Sequence, residues 1–403
     1  MIRYSKKRSP ANVFPLVAGQ ALYQTAAVLV AALSGLVGFS LAADKSLATL
    51  PVAMISVGTA ISLIPAAAFM KKFGRRKGFI AGIGLGLAAG ALMSLGVYLV
   101  DFRLFVLGNM FVGAYGGFAQ YYRFAAAESV DERDRSKAIS WVVSGGVFAA
   151  IAGPSIARYT RDFGDIPFLY SFLSIPALCL FALLAVSVSG HIAGQSVASD
   201  APVPEQSFFE ILKRPTFTAA IVSSAAGSAV MVMVMTATPI AMKICGYNAD
   251  DSSIVIQWHV LGMFVPSFFT GNLIQRFGAP RMISCGILMF LLHISLVLSG
   301  MDLVNFVGGL IFLGIGWNFM FVGGSTILVR SCADGDPAKI QAFHDFLVYA
   351  VTTLSSFLAG AVLNRWGWNV VNLIAVPLLI AAFVVIQWYA VLRKNDVASR
   401  DYL

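Results

Sequence analysis

Two residue pairs at helical spacing stand out as a place where chemistry could occur. Met231 and Met235 lie four positions apart in one apolar segment, and His259 and Met263 lie four apart in the next. A separation of four stacks side chains on one helix face. Two such helices side by side would offer three thioethers and one imidazole, a donor set that suits soft Cu(I) better than any hard cation. A thioether binds without losing a proton, so its affinity survives mild acidity that would protonate a thiolate. It is neutral, and so less costly in hydrocarbon than a carboxylate. Imidazole adds strength, at the cost of sensitivity to protonation near roughly pH 6.5.

Spacing alone carries limited weight. With 14 methionines in 403 residues, one such Met pair arises by chance about half the time, and a His–Met pair about one time in seven. Met233, which points about 160° away from each of Met231 and Met235 at about 100° per residue, is expected to pack. Met289 and His293 show the spacing in reverse order, and we read that pair as coincidence.

The elements that would position these residues follow from composition. The chain is 58% hydrophobic and 12% charged, with mean hydropathy +0.81. A soluble domain has about 25% charged residues, so this chain belongs in lipid. Twelve apolar runs of about 20 residues are legible, among them 103–127 (fourth), 215–242 (seventh), 252–275 (eighth), 340–363 (eleventh) and 368–393 (twelfth). The runs are continuous rather than alternating, which predicts helices and not a barrel. The expected class is an all-α membrane protein with twelve transmembrane helices.

The net charge of +9 is placed between the spans. Arg3, Lys6, Lys7 and Arg8 precede the first; Lys71, Lys72, Arg75, Arg76 and Lys77 follow the second; Arg276 and Arg281 flank the loop after the eighth; Arg393 and Lys394 follow the last. This asymmetry predicts cytoplasmic termini and argues against nucleic-acid binding. The first span is too long for a signal peptide, and no removed leader is expected. Cys179, Cys245, Cys285 and Cys332 form no CxxC pair and give no disulfide or metal signature.

An internal repeat organises the spans. The stretch Ala67-Ala-Phe-Met-Lys-Lys-Phe73-Gly74-Arg75 returns in register as Gly271-Asn-Leu-Ile-Gln-Arg276-Phe277-Gly278, 204 positions later and about half the chain. Two pseudo-symmetric six-helix halves are predicted, residues 1–190 and 215–403, joined by a polar cytoplasmic linker over 191–214 that ends in a short amphipathic helix before Pro215. At this offset His259 and Met263 match Ile55 and Thr59, so the repeat itself does not require the pair.

With that repeat and the Phe73-Gly74-Arg75-Arg76 loop, the chain resembles the major facilitator superfamily over essentially its whole length. Gly145, Gly146, Gly153 and Pro154 resemble that family's glycine-proline helix. Lys71 stands where the loop signature carries an acidic residue, so the usual charge latch is not expected in its ordinary form. Asn109 occupies a position where drug–proton antiporters carry arginine, which argues against proton-driven efflux.

MxxxM in the seventh helix with HxxxM in the eighth is the motif pair of the CcoA-type copper importers, whose close relatives include riboflavin transporters. Tyr121-Tyr-Arg123 through Glu128 and His259 through Gly271 resemble the same group. The resemblance implies a copper importer working by alternating access about a site near the midplane, with Met231, Met235, His259 and Met263 as metal ligands. It further implies a supply of copper for cbb3-type cytochrome oxidase assembly. The alternative is import of riboflavin or another small organic solute on the same scaffold. No enzymatic activity, no catalytic residue and no cofactor is expected; copper is the cargo. Copper chaperones on either side of the membrane are the expected partners, and the chain is expected to act as a monomer.

Other polar residues in the spans are candidates for gating or coupling. Arg123 reads equally as a snorkelled anchor or a cavity charge. His344 and Asp345 read as helix-start charge at the cytoplasmic surface or as a proton-coupling pair. Gln20, Tyr23 and Gln24 in the first span, with Trp317 and Asn318 in the tenth, are expected to face a cavity.

Overall fold

The computed structural model describes residues 13–44, 47, 50–188, 210, 213–331 and 337–400. Among them the chain is helical throughout, without a strand. Apart from Glu210, Lys213 and Arg214, the expected linker lies outside the described residues. The chain divides into two compact units, Met1–Asp200 and Ala201–Leu403.

The first unit holds α1 (Phe14–Leu41), α2 (Leu50–Phe73), α3 (Arg75–Tyr98), α4 (Phe102–Ala119), α5 (Tyr122–Glu128), α6 (Arg135–Thr160) and α7 (Leu169–Val188). The second holds α8 (Pro215–Ile244), α9 (Ala249–Phe264), α10 (Ser267–Phe277), α11 (Ala279–Ser299), α12 (Leu303–Ser331), α13 (Pro337–Leu373) and α14 (Ala375–Arg400).

Helix ends follow local chemistry. Asp101 accepts hydrogen bonds from the Arg103 and Leu104 amides at 2.7 and 3.1 Å, starting α4. Asn248 and Asp251 form a capping box that starts α9. Pro215 opens α8, where its missing N–H costs nothing. The repeat inferred from sequence reappears in the backbone. Gly74 (φ 90, ψ 157) separates α2 from α3, and Gly278 (φ 87, ψ 151) separates α10 from α11. A side chain is strained in that region, so glycine is required at both turns.

Two expected single spans are broken in the structure. The fourth is interrupted at Gln120–Tyr121, between α4 and α5. The eighth is interrupted at Val265–Pro266, because the proline ring has no N–H to donate and crowds the carbonyl one turn earlier. Eleven segments of the described chain are long and apolar enough to cross a membrane. The last of them, Lys339–Arg393, runs 55 residues. A straight helix of that length would span about 80 Å, against a hydrocarbon core of about 30 Å. It is interrupted by Gly367 (φ 80, ψ 177) and again between α13 and α14, so it supplies two crossings, the eleventh and twelfth.

In the first unit Arg75, 6% exposed, pairs with Glu128 at 2.7 Å and lies over the Tyr121 ring. The signature loop is thus tied to the end of α5 by an ion pair, with Lys71 in the usual acidic position. Glu128→Gln is expected to lower stability by about 1–3 kcal/mol, below the range for fully buried pairs because Glu128 keeps 26% of its side chain exposed. Thermal unfolding of the purified protein in detergent checks this.

Candidate functional site

The four proposed ligands all lie in the second unit. Met231 and Met263 are buried at 7% and 8% exposure, His259 is fully buried, and Met235 is half-buried. None of the four is fully exposed. Met233 is buried too, as expected of a packing residue.

The two helices touch one another only sparsely. α8 and α9 each pack far more extensively on α12 than on one another. The expected pair of helices therefore has a third, α12, as the main partner of both. Trp317 of α12 joins the two. Its indole N–H donates to Ser228 Oγ of α8 at 3.2 Å, and its ring stands edge-on to Phe264 of α9 at 6.0 Å. Ser228 is three residues before Met231 and seven before Met235, so all three share one face of α8.

Depth along the helices is matched. Counting from the end of α8 at Ile244, Met235 and Met231 lie ~14 and ~20 Å down the axis at 1.5 Å per residue. Counting from the start of α9 at Ala249, His259 and Met263 lie ~15 and ~21 Å down. Met235 is level with His259, and Met231 with Met263, which is the arrangement of a short ladder.

His259 carries the most informative geometry. Its Nδ1 lies 2.9 Å from the Leu310 carbonyl of α12. A carbonyl only accepts, so Nδ1 holds the proton, and in the neutral ring Nε2 carries a lone pair. That Nε2 is buried and has no hydrogen-bond partner among the described residues. His293 of α11 provides the internal contrast. It is equally buried, but both of its ring nitrogens have polar neighbours: Nδ1 lies 2.9 Å from the Gly309 carbonyl oxygen and Nε2 2.9 Å from Asn372 Oδ1. One histidine has a polar contact at each nitrogen; the other has one at Nδ1 alone. An imidazole held through one nitrogen by a backbone carbonyl, with the other presented, is the usual posture of a metal-ligating histidine.

The break in the eighth span is part of this region. Asn318 of α12 donates through Nδ2 to the Met263 carbonyl at 2.6 Å and to Ser267 Oγ, and accepts from the Thr270 hydroxyl at 2.7 Å. It gives the Met263 carbonyl a side-chain donor beside the break. Asn318 is fully buried and ties α9 and α10 to α12, which corrects its expected place on a cavity wall.

The remaining candidates divide. Arg123 is 4% exposed, bonded to Gln120 Oε1 at 2.7 Å and stacked on Phe124, so it is not a snorkelled anchor. His344 and Asp345 are 0% and 2% exposed and sit seven and eight residues into α13, not at an exposed helix start. Gln24 and Gln20 are half-buried, while Tyr23 is buried edge-on to Tyr115. Cys179, Cys245 and Cys285 are free thiols; Cys332 lies outside the described residues. Sequence reading missed the Leu310 carbonyl, the Asn372 amide and the role of α12 as the shared wall.

These features define a multi-pass α-helical membrane carrier built from two units. The Major Facilitator Superfamily profile matches residues 16–265 and 229–400, and the chain belongs to that superfamily. It is a secondary transporter, not an enzyme. The riboflavin transporter RfnT of Brucella anthropi is 38% identical over 392 residues, covering 96% of this chain and 97% of that protein. An uncharacterised transporter of Bacillus subtilis, YddS, is 25% identical over 88% of this chain and 86% of its own length. Among solved structures, the E. coli fucose:proton symporter FucP superposes with TM-score 0.75 at 18% identity, covering 94% of this chain and 98% of that one. A bacterial homologue of the iron transporter ferroportin superposes with TM-score 0.68 at 11% identity, covering 94% of this chain and 99% of that one. At these identities the two structures speak to fold alone.

Proposed function

We propose that this carrier imports copper across a bacterial cytoplasmic membrane by alternating access of its two halves, with both termini cytoplasmic. Met231, Met235, His259 and Met263 are the ligands that pass the ion. The observation that carries the reading is the buried, unpartnered Nε2 of His259. Leaving such a group unpaired costs about 1–3 kcal/mol, whereas the equally buried His293 of the same unit has a polar neighbour at each ring nitrogen. A soft ion passing between level thioethers would meet that lone pair. No resident cofactor is needed, and soluble copper chaperones are the natural donors and acceptors.

A second reading is import of riboflavin or a related organic solute. It is favoured by whole-length similarity to a protein named as a riboflavin transporter. The aromatic cluster of Phe264, Trp317 and Phe321 also suits a flat ring system. Similarity weighs toward the flavin, and the chemistry of His259 toward copper. Cellular accumulation of copper and of riboflavin, measured for wild type and for Met231→Ala, Met235→Ala, His259→Ala and Met263→Ala, separates them. Copper import predicts copper accumulation above vector background that each substitution reduces. Riboflavin uptake with copper at background in the wild type would replace copper by the second reading.

A further inference from the structure

We propose that Met320 of α12 is a further thioether on the copper path, taking the ion from Met231 and Met263 and passing it toward the cytoplasmic side. The proposal rests on the copper reading above and extends its ligand set by one residue.

Contacts along α12 fix the level of each side chain in the second unit. α8 runs against α12 in the opposite direction: Trp317 meets Ser228, while a Cβ at Gly324 would press on Ser224 Oγ and stand 3.1 Å from the Ala220 carbonyl oxygen. Met231, three residues after Ser228, therefore comes level with position 314 (317 − 3) of α12. Gly314 is also where α12 meets α9, against the His259 carbonyl and the Met263 amide. Met231 and Met263 thus share one level, as the helix-end counts indicated.

Met320 lies six residues further along α12 (320 − 314), toward the end that the charge distribution assigns to the cytoplasm. It is fully buried. Its Cγ is turned to Gly286 of α11 and its Sδ to Gly227 of α8, 2.9 and 3.4 Å from where a Cβ would stand at each glycine. The sulfur is therefore on the α8 side. Gly227 is four residues before Met231 and shares its helix face, so the sulfur sits about one turn, ~6 Å, inward of Met231. Helical side chains lean toward their own N-terminus, which in α12 is the direction of Met231.

The sulfurs then form three successive levels: Met235, Met231 with Met263, and Met320. A thioether takes up and releases Cu(I) without exchanging a proton. An ion can therefore move along the series by replacing one ligand at a time. The unbranched methionine side chain has three rotatable bonds, so its sulfur can swing while the backbone stays in place. Glycine at 227 leaves room for that swing, since an alanine methyl there would stand 3.0 Å from Met320 Cβ and 3.4 Å from Sδ. Packing alone would be served as well by leucine. That difference is what can be measured.

The test follows Cu(I) uptake into phospholipid vesicles containing the full chain, per folded carrier and over a range of copper concentrations. Wild type, Met320→Leu, Met320→Cys and Gly227→Ala are compared. Met320→Leu keeps the volume and removes the sulfur. Its maximal rate is expected to fall roughly tenfold, the scale on which residues supporting a metal site act, with half-saturating copper unchanged. Met320→Cys, which keeps a sulfur, should recover part of that rate. Gly227→Ala, which crowds the sulfur, should slow uptake by a smaller factor. A wild-type rate in Met320→Leu, or equal impairment of Met320→Leu and Met320→Cys, would overturn the proposal, because packing would then account for the residue. If neither Met320 variant folds, Gly227→Ala decides: a wild-type rate overturns the proposal, and a slower rate at unchanged half-saturation supports it. Absence of copper uptake by wild type would instead remove the copper reading itself, and this inference with it.

Discussion

Replacing His259 with leucine is expected to abolish copper accumulation while leaving thermal stability unchanged or slightly higher. The opposite result is expected at His293→Leu: stability falls, and the remaining folded protein still transports. The physical difference is in the second nitrogen. At His259 the substitution removes one hydrogen bond to the Leu310 carbonyl, about 0.5–1.5 kcal/mol, and also removes an orphaned buried lone pair costing about 1–3 kcal/mol. The two nearly offset each other, and leucine fits the apolar surroundings. At His293 both nitrogens are engaged, so leucine leaves the Asn372 amide and the Gly309 carbonyl with one partner fewer inside the protein. Uptake in cells and unfolding of the purified proteins in detergent read the two effects separately. Copper uptake that survives His259→Leu would remove His259 from the ligand set.

Gly314→Val should inactivate transport of either cargo and destabilise the second unit. A Cβ at position 314 would stand 2.6 Å from the His259 carbonyl oxygen and 2.7 Å from the Met263 amide nitrogen. Those are backbone atoms and cannot rotate aside, so α12 would have to move away from α9. Overpacking of this kind costs about 1–3 kcal/mol or more. It would also loosen the bond from Nδ1 of His259 to Leu310 and the grip of Asn318 on the Met263 carbonyl. Gly360→Ala in α13 is the matched comparison, because a Cβ there meets nothing within 4 Å. In a helix interior that change should stabilise by up to about 1 kcal/mol. Equal loss of function at both positions would mean that the close approach of α12 to α9 is not what matters.

The membrane class, the number of crossings and the twofold repeat were legible because lipid imposes them residue by residue. Each crossing needs its own apolar run, and each tight turn its own glycine, as at Gly74 and Gly278. The breaks at Gln120–Tyr121 and Val265–Pro266 were harder to see. A proline within an apolar run signals a kink but does not fix where the helix resumes; Asn318, 52 residues further on, helps to decide that. Gly262 is a point of close helix approach: a Cβ there would stand 2.8 Å from the Ile311 carbonyl oxygen of α12, which the sequence does not mark.

Sequence by itself established that Met231 shares a face with Met235 and His259 with Met263, since helical periodicity is a local property. It could also bring His344 and Asp345 to notice, as charges within an apolar run. Which third helix those faces meet, which nitrogen of each histidine finds a partner, and whether a charged side chain is enclosed or wet were decided only by the tertiary structure. Hydrogen-bond partners such as Leu310 for His259 and Ala220 for His344 come from residues 51 and 124 positions away. They are backbone carbonyls, which every residue possesses, so no side-chain pattern could have marked them.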